Sequence, residues 1–373
     1  MKQETAAVPL SRPYLSAREE ELVLEVLRSG RLSLGPTIDA FEEAFAARVG
    51  APYAAAVSSG TAGLHLLCIT AGIAPGDEVI TSPYSFAASA NCFVYEGGVP
   101  VFADVDRRTF NLDPAAVDAA VTPRTKAIVA VDIYGYPCEL DELRAIADRH
   151  GLALIQDSCE ALGAEYRGAP LGSHGPPAVF AFYPNKQMTT GEGGMVTTHS
   201  EEEWRVLRSL RNQGRGDSGG WLEHVRLGLN YRIDDIRAAI GIGQLERLDE
   251  ILALRAEVAA RYDDLLAGVD GVELPCPDDE EHRRSWFVYV VVLPDGETRE
   301  RVIGAFERER IGYNRYLPSI HLQPYMRERY GFREGMCPVS EDLSSRTLAL
   351  PFFTALERDA QERVAEVLAG ALA

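Results

Sequence analysis

Apolar residues recur along this chain with two different periods, and the alternation between them predicts its architecture. Between residues 16 and 30, Leu22, Val23, Val26 and Leu27 share one face of an otherwise acidic stretch. That spacing predicts an amphipathic helix starting at Ser16 and ending near Gly30. Gly35-Pro36 opens a second helix in which Phe41, Phe45 and Val49 line up. From residue 54 onward, short apolar runs alternate with helical stretches. Strands are predicted at 54–57, 78–82, 99–104, 127–132, 152–157, 178–183 and 194–198, with helices after Gly60, at 87–95 and at 140–150. Near-continuous apolar strands separated by helices imply a mostly parallel sheet covered on both faces. Ligands of such sheets bind beyond the carboxyl ends of the strands, where Asp157 and Lys186 both fall.

A long helical stretch, 236–266, then leads into a second unit with a strand at 285–293 and helices at 299–310 and 359–371. The predicted organisation is a large α/β domain over residues 1–249, its first 15 residues extended, and a smaller α+β domain over 250–373. The glycine-rich stretch 212–220 is the candidate mobile loop.

Composition narrows the function classes. The 373 residues are 46% hydrophobic and 25% charged, an ordinary globular balance. A net charge of −19 argues against nucleic-acid binding, which needs a basic face, and leaves room for a small anionic ligand held by local donors. The six cysteines are scattered with no C-x-x-C pair, which fits a reduced cytoplasmic protein better than a disulfide framework or a metal site. No apolar run approaches the roughly 20 residues of a membrane span, and the first residues carry no secretory pattern.

Three local patterns carry candidate chemistry. Ser58-Ser59-Gly60-Thr61-Ala62 reads as a turn feeding a helix. It is either an ordinary N-cap or a phosphate cradle built from free N–H groups and the positive end of the helix. Asp157 closes a buried strand and begins Asp157-Ser158-Cys159-Glu160. It either caps the next turn or faces a cationic ligand atom. Lys186 ends the run Phe180-Ala181-Phe182-Tyr183-Pro184-Asn185 and precedes Thr189-Thr190-Gly191-Glu192-Gly193-Gly194. A lysine partly withdrawn from water is a nucleophile toward carbonyls, although most lysines are simply solvated. Phe86 is a core residue or a stacking face. Together, in this order, a phosphate cradle, a carboxylate, an aromatic face and an amine are what pyridoxal phosphate requires.

Read as a whole, the chain resembles the DegT/DnrJ-type nucleotide-sugar aminotransferases, pyridoxal-phosphate enzymes of fold type I, over almost its full length. Further matches are Gly35-Pro36, Gly76-Asp77-Glu78-Val79-Ile80, Pro100-Val101-Phe102-Ala103-Asp104, Thr125-Lys126-Ala127-Ile128, Gly228-Leu229-Asn230-Tyr231-Arg232, Gln244-Leu245 and Leu350-Pro351. The resemblance implies a mostly parallel seven-stranded sheet between helices and a smaller α+β C-terminal domain. It implies Lys186 as the Schiff-base lysine that also moves protons, and Asp157 on the pyridine nitrogen. Gly60, Thr61 and Ala62 would hold the phosphate, Phe86 would stack on the ring, and Glu160 would lie near the ring hydroxyl. Asn230 would reach the phosphate of a neighbouring subunit, implying a homodimer with shared sites. His321, in His321-Leu322-Gln323-Pro324-Tyr325, and Tyr316 are the candidate substrate residues. The implied partners are L-glutamate as donor and a nucleotide-diphosphate ketosugar as acceptor, with 4-keto-6-deoxyhexoses foremost. Other readings within the family are a 3-ketosugar or cyclitol aminotransferase, a dehydrase, or a regulatory paralogue; Lys186 and Asp157 argue against the last two.

Two residues depart from the family pattern. Ala181 stands where relatives often carry a phosphate-binding serine. Glu160 stands where they often carry glutamine or histidine. An ionised Glu160 beside the cofactor phenolate would be repelled, so it is expected to be protonated or turned to another partner. An acid there resembles the perosamine-synthase-like members.

Overall fold

The computed structural model describes residues 6–216 and 223–373. The N-terminal residues 1–5 and residues 217–220 of the glycine-rich loop, expected to be extended and mobile respectively, lie outside the described residues.

The two predicted N-terminal helices form at Ala17–Ser29 and Pro36–Val49. Ser16 and Glu19 make a reciprocal capping box at the first, and Gly30 ends it in the left-handed region. The central sheet has seven strands in the spatial order Tyr53–Val57, Gly194–Thr198, Ala178–Ala181, Ala153–Asp157, Thr125–Val131, Glu78–Thr81 and Val99–Phe102. Gly194–Thr198 runs against its two neighbours, while the other pairings are parallel. Alternate residues along each strand enter different cores. Ile80, Ile128 and Phe180 pack with Phe41 and Phe45 on one face. Val79, Val129 and Val179 pack with Leu66, Leu67 and Phe93 on the other. This is the period-2 division expected of a sheet covered on both sides.

The C-terminal layer is built on two antiparallel strands, Tyr289–Val292 and Thr347–Leu350, with helices Leu248–Leu266, Gly296–Arg308 and Arg358–Leu372. Its core joins Tyr262, Tyr289, Phe306 and Phe352. The start of the chain belongs with this layer. Val8 N–H donates to the Arg310 carbonyl (3.0 Å), Gly312 N–H to that of Val8 (2.8 Å), and Phe352 N–H to that of Leu10 (2.9 Å).

Two expectations are corrected. The stretch 236–266 is two helices, Asp235–Glu246 and Leu248–Leu266, broken at Arg247. There the guanidinium lies 4.8 Å above the Tyr14 ring and pairs with Glu250 and Glu19. The strand expected over 285–293 is confined to Tyr289–Val292, where it pairs with Thr347–Leu350; Phe287 and Val288 precede it and pack with Tyr84, Phe110 and Tyr134. Among the described residues, no helix is long and apolar enough to cross a membrane.

Candidate active site

A cavity of about 570 Å³ opens at the carboxyl ends of the parallel strands. Gly60, Thr61, Phe86, Asp157, Glu160, Lys186 and Tyr316 all line it. The fold explains why they meet. Each strand of the parallel set delivers its last residues to the same edge, and the loops that follow carry the polar groups.

Lys186 is set by a closed turn. Phe182 N–H donates to the Gly193 carbonyl and Thr190 N–H to that of Phe182, each at 3.0 Å. Gly191 supplies the left-handed residue the turn needs (φ 80°). The Lys186 amine then lies 3.4 Å from Glu160 Oε1 and 3.9 Å from the centre of the Phe287 ring. It is thus held between an anion and an aromatic face. Gln187 binds both sides of this arrangement, donating to the carbonyls of Glu160 (2.5 Å) and Ser285 (3.2 Å).

The two carboxyl groups differ in their partners. Asp157 is buried; Oδ2 accepts from the Ser89 hydroxyl (2.7 Å) and Oδ1 from the Cys159 N–H (3.2 Å). Ser85 hydrogen-bonds to Ser89 at 2.7 Å. Glu160 Oε2 accepts the Tyr134 N–H at 2.9 Å while Oε1 faces Lys186. Burial pushes the Glu160 carboxyl up, and the Lys186 charge pulls it back. Lys186 and Tyr134 are thus the partners that Glu160 has in this structure. The Tyr134 hydroxyl continues to Tyr84 (3.0 Å), which reaches Thr347 (2.9 Å) and the Tyr316 carbonyl (3.0 Å) of the C-terminal layer. Burial raises the phenol of Tyr84 to about 12.

The helix Gly60–Thr70 starts at the cavity wall. Gly60 and Thr61 occupy its first two positions, where an N–H has no intrahelical acceptor. A Cβ at Gly60 would lie 2.7 Å from Cys159 Sγ and 2.8 Å from Ala181 Cβ, so only glycine lets the helix start sit this close. These features fit the cofactor: free N–H donors for a phosphate, and a buried carboxylate whose contacts are a hydroxyl and an N–H rather than a cation.

Phe86 keeps its open-face reading, while three other expected residues stand differently. Phe86 lines the cavity and is 66% exposed, an open ring rather than a core residue. Ala62 does not line it, and its N–H is taken by the Ser59 hydroxyl (3.1 Å). Asn230 is exposed and away from this cavity, bridged to Asn212. His321 is fully buried with Nε2 2.9 Å from Glu341, so it has no surface to offer a substrate here. Phe287, Tyr134, Ser85 and Ser89 were not foreseen. Phe287, Tyr134 and Ser89 reach Lys186, Glu160 and Asp157 from distant segments, Ser85 reaches Asp157 only through Ser89, and no local pattern marks them.

The DegT/DnrJ/EryC1/StrS aminotransferase family matches residues 13–369. This chain is a member of that family. It is 40% identical to the GDP-perosamine synthase of Caulobacter vibrioides over 85% of this chain and 86% of the other. It is 38% identical to the spore coat polysaccharide biosynthesis protein SpsC of Bacillus subtilis (strain 168), over 97% and 96%. The crystal structure of S. venezuelae DesV in complex with a ketimine intermediate superposes with a TM-score of 0.92 at 34% identity, covering 98% of both chains. The chain is therefore a pyridoxal-phosphate-dependent sugar aminotransferase with the fold-type-I architecture expected from its sequence.

Proposed function

We propose that this aminotransferase moves the amino group of L-glutamate to a nucleotide-diphosphate-linked 4-keto-6-deoxyhexose. The observation that carries the reading is the meeting of Lys186, Asp157 and the Gly60–Thr61 helix start around one cavity. The similarity to a GDP-perosamine synthase supports the sugar class. Pyridoxal phosphate supplies the electron sink for the transfer. The residues of this chain do the rest. Gly60 and Thr61 bind the phosphate through N–H groups and a hydroxyl, and Phe86 covers the ring face. Asp157 keeps the pyridine nitrogen protonated, steadied by Ser89 and the Cys159 N–H. Lys186 moves the proton between substrate and cofactor carbons.

The enzyme works as a homodimer in this reading. Asn230 lies outside its own chain's cavity, which supports a phosphate contact made in a second copy. Nearby Leu227, 95% exposed, and the half-exposed Val225 support a covered surface there.

The experiment is the second half-reaction. The pyridoxamine form is mixed with GDP-, UDP- and dTDP-linked 4-keto-6-deoxyhexoses and the return of the aldehyde absorbance is followed. Return with one or more of these sugars is expected. No return with any, but return with a 3-ketosugar or a keto-cyclitol, overturns the substrate assignment.

A further inference from the structure

Glu160 has a problem that its partner Lys186 solves only while that partner is charged. The carboxyl is almost fully buried, with Oε1 on the Lys186 amine (3.4 Å) and Oε2 on the Tyr134 N–H (2.9 Å). The other groups facing it bring no positive charge. They are Asp157 from its own strand, Cys159 beside it, Tyr134 and Tyr84 from neighbouring strand ends, and Tyr316 from the C-terminal layer. A buried carboxylate that loses its neighbouring cation is strongly disfavoured and answers by taking a proton. Asp157, a like charge in the same pocket, pushes the same way.

We propose that Glu160 is the proton-holding residue of this site: when Lys186 joins the cofactor, the proton shed by its ammonium stays on Glu160. The inference rests on Lys186 being the lysine that joins the cofactor. The step balances without any further reactant. The ammonium carries three hydrogens. One passes along the Nζ–Oε1 hydrogen bond to the carboxylate, and the freed lone pair attacks the aldehyde carbon. The other two hydrogens leave with the aldehyde oxygen as water as the C=N bond forms. The ammonium and the carboxylate are neutralised together, so neither member of the pair is left as an unpaired charge. Glu160 then carries an O–H donor on Oε1 where an acceptor stood before. It offers a hydrogen bond to the cofactor's ring oxygen instead of repelling it. The Tyr134 N–H, held through Tyr84 to Thr347, keeps Oε2 in place during the exchange.

Infrared difference spectra of the loaded minus the cofactor-free protein test this directly. The wild type is expected to gain the carbonyl stretch of a protonated carboxylic acid on loading, with the shift that deuterium oxide imposes on such a group. Glu160→Gln is expected to lack the gain, and Asp157→Asn to keep it. If Glu160→Gln does not fold, the wild type and Asp157→Asn alone still decide between the two acids. Loading on Lys186 with no new acid band in the wild type, or a band that survives Glu160→Gln, overturns the proposal. Failure of Lys186 to join the cofactor at all overturns the reading beneath it instead.

Discussion

The two walls of the cavity were built by different means. One comes from the ends of the large sheet and carries Gly60, Thr61, Asp157, Glu160 and Lys186. The other comes from the C-terminal layer and carries Phe287, Asn314, Tyr316 and Leu317. The first wall holds the chemistry in short, local devices: a helix start, a strand end, a closed turn. The second wall also leans on the first, as when the Phe287 ring lies 3.9 Å from the Lys186 amine. On the proposed reading the chemistry resides on the sheet edge, while the layer above it helps to hold those groups.

The largest effects are therefore expected on the sheet wall. Lys186→Ala removes the amine proposed to move the proton, and turnover is expected to fall by on the order of 10³-fold or more; a steady-state assay checks it. Asp157→Asn leaves the Ser89 and Cys159 contacts space to form but removes the charge proposed to face the pyridine nitrogen. A loss of roughly 10²–10³-fold in kcat is expected. Activity within a few fold of wild type in either variant would erase the distinction between the walls.

Intermediate effects sharpen it. Gly60→Ala forces a Cβ to within 2.7 Å of Cys159 Sγ and 2.8 Å of Ala181 Cβ. Overpacking is expected to cost about 1–3 kcal/mol in thermal or denaturant unfolding and to weaken cofactor binding. Phe287→Leu, on the other wall, keeps most of the volume. It is expected to cost under about 1.5 kcal/mol of stability and to change kcat by less than either sheet-wall variant. The smallest effect is a gain. Ala181→Ser restores a hydroxyl beside the helix start and is expected to tighten cofactor retention by about 0.5–1.5 kcal/mol, read as a slower loss on dialysis.

The same division governs what was legible in the amino-acid order. The seven sheet strands could be read, because each is a short apolar run bounded by turn residues. The Ser59-Gly60-Thr61 start and the glycine turn after Lys186 could be read for the same reason. The unbroken helix expected over 236–266 failed at Arg247, where ring and acid contacts from distant residues end one helix and begin another. His321 sits in a recognisable local run, yet that run says nothing about its burial against Phe102 and Glu341. Phe287 read as one position in a long strand. Its place against Lys186 depends on where the C-terminal layer docks, and no short-range pattern encodes that. The Thr347–Leu350 strand was passed over because four residues are too few to establish a period.

The central claim is that the cofactor joins this chain at Lys186, above Asp157. The chain has three lysines, Lys2, Lys126 and Lys186, which makes a decisive measurement simple. The loaded protein is reduced with borohydride, digested, and its peptides weighed. The cofactor's mass is expected on the peptide containing Lys186 and on no other. Its appearance on Lys2 or Lys126, or on none of the three in a protein that still catalyses the transfer, would contradict the account.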